Sequence, residues 1–155
     1  MLKKNTFIIL IFFLVTSCGF TPIYKNNQNL NFWLEIDKIE GNDKFNNFIK
    51  LNLQKYKYPK QNSNKIVISF NSNYQKRTLV KNLSGTSAEY ELIGTIDFTL
   101  IYKSQTKKIT FNEIARIKNL NNTFDEINYE ASNLNNFSSS MVQKLILEII
   151  KLNDS

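Results

Sequence analysis

Residues 90–102, YELIGTIDFTLIY, alternate along their whole length. Tyr90, Leu92, Ile96, Phe98, Leu100 and Tyr102 fall on one side, and Glu91, Ile93, Thr95, Asp97, Thr99 and Ile101 on the other. A period of two sustained this long specifies a strand with one buried face and rules out a helix. Gly94 lies on the apolar side, where it marks a bulge or a close approach of another element. Ser104-Gln105-Thr106 then turns the chain into Ile109-Thr110-Phe111, which continues through Ala115 and Ile117. Two long strands joined by a short turn make a hairpin.

The flanking segments supply what this hairpin needs for burial. Phe32, Leu34 and Ile36 alternate as a first strand, and Glu40-Gly41-Asn42-Asp43 breaks it. Asn42 or Asp43 can cap a helix in which Phe45, Phe48, Ile49, Leu53 and Tyr56 form one stripe. Pro59 closes that helix, because the residue before a proline is pushed out of the α region. Ile66, Ile68 and Phe70 begin a second strand that runs toward Tyr74, followed by an expected loop carrying Lys76, Arg77, Lys81 and Gly85. From about Asn128 the period changes, and Leu134, Phe137, Met141, Leu145, Ile149 and Leu152 step by three or four residues. Ser138-Ser139-Ser140 weakens helix propensity inside that segment, so packing must hold it. The order is β-α-β-β-β-α. Two one-striped helices and one-faced strands predict an α+β fold, a two-layer sandwich with both helices on one face of a four-stranded mixed sheet.

The chain begins MLKKNTFIILIFFLVTSCGFTPIYK. Lys3 and Lys4 precede a continuous apolar run from Phe7 to Val15, the length of a signal-peptide core and well short of the ~20 residues that span a bilayer. Val15-Thr16-Ser17-Cys18 resembles a bacterial lipobox. In that reading residues 1–17 are removed, the Cys18 sulfur takes a diacylglyceryl group and the new amine is acylated. Each buried CH₂ contributes roughly 0.8 kcal/mol, so several chains anchor durably. An ordinary secretory signal with Cys18 near its cut is the alternative. Residues 18–31, polar from Lys25 onward, read as a tether, and residues 32–155 as the folded domain.

Composition narrows the chemistry. Removal of residues 1–17 takes away Lys3 and Lys4 and lowers the formal charge from +7 to about +5. A basic balance favours an anionic partner, but export argues against nucleic acid and for lipid or saccharide. The chain has no histidine, so the usual general base, metal ligand and Ser-His relay are missing. Cys18 is its single cysteine, which leaves no intramolecular disulfide and no Cys-ligated zinc. Four glycines form no phosphate-cradling loop, and no cofactor motif occurs. The acid pairs Glu89/Glu91 and Asp125/Glu126 read as solvated charge on a strand face and near a helix start. The reading is therefore of a protein that is not an enzyme.

CGFTPIY resembles the mature start of the LPS-assembly lipoproteins, the LptE family, whose alphaproteobacterial members begin Cys-Gly-Phe-x-Pro-Leu-Tyr. Cys18, Gly19, Phe20, Pro22 and Tyr24 fit that pattern, with Ile23 in place of leucine. The closing stretch NYEASNLNNFSSSMVQKLILEIIKL is similar to the family's last helix at Tyr129, Ala131, Leu145, Ile149 and Leu152. It departs from Leu134 to Ser140, where the family is richer in alanine and acidic residues. The resemblance implies two helices on a four-stranded mixed sheet, held by a lipid anchor on the periplasmic side of the outer membrane. It further implies a place inside the LptD β-barrel and a role in inserting lipopolysaccharide into the outer leaflet. Lys76, Arg77 and Lys81 are then candidate contacts for lipopolysaccharide phosphates. The polar strand face of Glu89, Glu91, Thr95, Asp97, Thr99, Thr110, Asn112 and Arg116 suits a polar barrel lumen. Plain solvation accounts equally for that face, and it is the readier reading of the three cations before the resemblance is considered. A lipid carrier or envelope scaffold that shares only the anchor, or an enzyme acting on saccharides through paired carboxylates, are the other readings.

Overall fold

The computed structural model describes residues 30–59, 61–85, 87–120 and 122–153. The signal segment and most of the tether, with Cys18, lie outside the described residues. The elements follow the order read from periodicity: β1 (Phe32–Gly41), α1 (Asp43–Leu53), β2 (Asn64–Lys81), β3 (Ser87–Tyr102), β4 (Gln105–Lys118) and α2 (Thr123–Asn153), with a 3-10 turn at Gln54–Tyr56. The four strands form one sheet in the order β1-β2-β3-β4, with β1 parallel to β2 and the rest antiparallel. Both helices lie on one side of it, an α+β two-layer sandwich.

Alternation decides which side each residue joins. On β3, Leu92, Ile96, Phe98 and Leu100 are buried against the helices, and so are Ile66, Ile68 and Phe70 on β2. The helices answer with Phe45, Ile49 and Leu53 from α1 and with Leu134, Phe137, Met141, Leu145 and Ile149 from α2. Gly94 marks a close approach: a Cβ there would stand 2.9 Å from Phe137 Cδ2 and 3.1 Å from Phe45 Cζ. The β3–β4 register runs through this position without a shift, so no bulge is present on that side.

The β1–α1 turn is set by Gly41, whose φ is +98° and whose Cβ would overlap the Ser72 carbonyl oxygen. Only glycine allows both. Asn42 caps α1 by accepting a hydrogen bond from the Phe45 N–H at 2.9 Å. Beside it Asn46 is buried but satisfied, accepting from Ser72 Oγ at 2.7 Å and donating to the Glu40 carbonyl at 3.2 Å.

Three boundaries differ from the sequence expectation. The expected loop at Lys76–Lys81 is the second half of β2. The β3–β4 turn is Lys103-Ser104, both with positive φ, a two-residue hairpin turn one step earlier than Ser104–Thr106. The last helix starts at Thr123, where Asn122 accepts from the Phe124 N–H at 2.9 Å. The serine run is held by neighbours on three sides. Ser138 accepts from Asn52 Nδ2 at 2.7 Å, Ser140 donates to Glu113 at 2.7 Å, and Ser139 accepts from Gln143 at 3.2 Å.

Candidate functional site

The helix layer covers one face of the sheet and leaves the other open. Register places the open-face residues in rows across β2, β3 and β4. Ser69, Thr99 and Lys108 make one row, Asn71, Asp97 and Thr110 the next, then Asn73, Thr95 and Asn112. Short amides and hydroxyls dominate, and Thr110 donates to Asp97 at 2.6 Å. At the β1 edge an extra residue between Ile36 and Ile39 shifts the register and brings Lys38 and Glu40 alongside this face, ion-paired at 2.7 Å. The hollow between them and the Asn71–Asp97–Thr110 row is shallow, about 310 Å³, and polar.

Lys76, Arg77 and Lys81 do not come together. They lie on a strand, so neighbours point to opposite faces. Lys76 faces the helices: its Nζ is 2.5 Å from Glu126 Oε1 and 3.1 Å from Glu130 Oε2, and 4.5 Å from the Tyr90 ring centroid. Burial would lower its pKa, but the two carboxylates outweigh burial and raise it. Burial likewise opposes ionisation of Glu130, and the Lys76 hydrogen bond with the charges of Lys76 and Lys44 outweighs it and lowers its pKa. The neighbouring Tyr74 hydroxyl is buried without a hydrogen bond of ordinary geometry, and burial beside Glu130 pushes its pKa up. Lys76 therefore fastens the start of α2 to the sheet.

Arg77 points to the open face and pairs with Glu91, which Arg116 approaches from the far side at 3.9 Å. Glu91 is 5 % exposed, a correction to its reading as solvated charge. Lys81 ends β2 in solvent. Sequence reasoning missed the row Arg77–Glu91–Arg116, although alternation from Ile66 onward assigns Arg77 to the face of Glu91. Further ion pairs tie the layers at their margin: Lys144 to Glu113 at 2.6 Å and Lys107 to Glu148 at 3.0 Å. Among the described residues no cluster of His, Cys, Asp and Glu is arranged to hold a metal ion, and no helix is long and apolar enough to cross a membrane.

No family model and no curated protein matches the chain. Among solved structures, the rare lipoprotein B from Shewanella oneidensis is similar at 14 % identity, covering 77 % of this chain and 99 % of that one with a TM-score of 0.55. The uncharacterized lipoprotein B from Nitrosomonas europaea aligns at 13 % identity over 82 % of this chain and 90 % of its own, with a TM-score of 0.48. At such identity the Shewanella match establishes a shared fold.

Proposed function

We propose that the protein is a lipid-anchored, non-catalytic component of the bacterial outer membrane that sits inside the LptD barrel and assists insertion of lipopolysaccharide. The observation that carries this reading is the open sheet face. Its central rows expose amides and hydroxyls on short side chains, a surface suited to the polar interior of a barrel. A fold shared with a lipoprotein supports the lipobox reading of Cys18. A lipid carrier would need an apolar cavity between its layers. Here Phe45, Phe98, Leu134 and Met141, each buried, fill that space. Of the three cations proposed to meet lipopolysaccharide phosphates, Lys76 is committed to Glu126 and Glu130, so Lys81 at the exposed strand end is the best placed.

Extraction of the full-length protein from outer membranes in detergent should bring a large β-barrel with it. Metabolic labelling with a fatty acid should mark the wild type and leave Cys18→Ala unlabelled and soluble. Purification without a barrel would overturn the plug reading, and labelling of the Cys18 variant would overturn the anchor.

A further inference from the structure

One row of the open face differs from the others. Toward the β2–β3 hairpin, register sets Arg77, Glu91 and Arg116 side by side where the central rows carry amides and hydroxyls. The carboxylate is buried, while the arginine side chains keep 62 and 75 % of their accessible surface. Two guanidinium groups sharing one carboxylate retain a single positive charge. Their planar forks, largely exposed, suit a second carboxylate. The adjacent row is Gln75, Ile93 and Ile114, and Ile114 is 56 % exposed beside the arginines. Exposed arginine beside a partly exposed apolar side chain is the composition of a protein-binding hot spot.

We infer that the Arg77–Glu91–Arg116 row, with Ile93 and Ile114, is the contact by which the open face grips the inner wall of the barrel. One carboxylate of that wall enters between the two guanidinium groups, and Glu91 is a positioning residue for both. The inference rests on the plug reading above and adds to it the face and the chemistry of the contact. A protein carboxylate fits better than a lipid phosphate. A lipid would bring acyl chains, and the isoleucines of this face form no continuous strip for them, since three polar rows separate Ile93 and Ile114 from Ile101.

The test uses the full-length protein extracted with the barrel that co-purifies with it. A photo-crosslinking residue at position 114 is compared with one at Leu147, exposed on α2. Position 114 should crosslink to the barrel several-fold more strongly. Arg116→Glu, combined with the crosslinker, should cut that yield at least tenfold, whereas Arg116→Lys retains part of it. Glu91→Gln should lower the yield several-fold at an unchanged melting temperature, which a purely structural role would not do. Should Glu91→Gln unfold the domain, Arg77→Gln, on an exposed side chain, gives the same readout. A barrel that co-purifies but crosslinks equally from both positions, or ignores Arg116→Glu, overturns this inference and leaves the plug reading standing. Crosslinks to lipid alone overturn it in favour of a phosphate site. A preparation without a barrel overturns both.

Discussion

Phe98 and Asp97 are neighbours on β3 and obey different physics. The Phe98 ring is 1 % exposed, 5.7 Å from the centroid of Phe70 and 6.2 Å from that of Phe111. Asp97, one residue earlier, stands in solvent beside Thr110. The same alternation runs through the central strands, so one sheet presents a dry face that holds the fold and an open face that contributes little to it. An antiparallel sheet tolerates this division because its uncovered side can be solvated. Evolution can therefore vary the open face to suit a partner without reopening the core.

The comparison predicts a steep asymmetry in mutational cost. Leu145→Asp places an unpaired charge at a fully buried position of α2 facing the sheet and should destabilise by several kcal/mol. Chemical denaturation measures it, and an unchanged midpoint would mean that the dry face is not where stability resides. Gly94→Val comes next. Its side chain would press into Phe137 and Phe45, and overpacking of that kind costs roughly 1–3 kcal/mol. A crystal structure of the variant should show the Phe137 ring displaced.

The division was legible in the sequence where burial is complete and illegible where it fades. Ile66, Ile68 and Phe70 announce a strand, but beyond Phe70 the same alternation continues through Ser72, Tyr74 and Lys76. There the helix layer supplies polar partners in Asn46, Glu126 and Glu130. A strand covered by polar groups lacks the apolar signal, so its second half reads as a loop and its cations as a cluster. The first turns of α2 are hidden for the same reason, since Glu126 and Glu130 meet a lysine instead of the core. Gly94, by contrast, was informative because an apolar face with one missing side chain admits few explanations. The pairing of Arg77 with Glu91 and Arg116 depends on register across three strands, which alternation within one strand cannot supply.

The ion-paired margin should fall between the two faces in cost. Lys76→Ala removes the partner of Glu126 and leaves Glu130 only the more distant Lys44, and should destabilise by about 1 kcal/mol, loosening the start of α2 more than its end. Hydrogen exchange along the helix reads this directly. Glu130 has a depressed pKa, so its contribution is complete above the ordinary value of 4.5 and is lost as pH falls through the lower folded value. Lys76 has a raised pKa, so its contribution is complete below the ordinary 10.5 and is lost as pH rises through the higher folded value. Across neutral pH the start of α2 should therefore be equally protected, and acid should open it before the Leu134–Ile149 half. Simultaneous exchange of both halves in acid would place the margin within the core's cooperative unit.

The smallest effect is the sharpest probe of the open face. Asn73 is exposed on β2, in the row with Thr95 and Asn112. Asparagine is a poor strand residue and threonine a good one, so solvent alone gives no reason to keep it there. Asn73→Thr should raise stability by about 0.5 kcal/mol, roughly 2 °C in melting temperature. A loss of stability would show that the side chain supports the fold and that the two faces are less independent than alternation implies. A gain in stability with weaker retention of the barrel during purification would show the opposite, that this amide serves a contact made outside the domain. Such an outcome separates a face shaped by a partner from one shaped only by water, because water does not penalise the threonine.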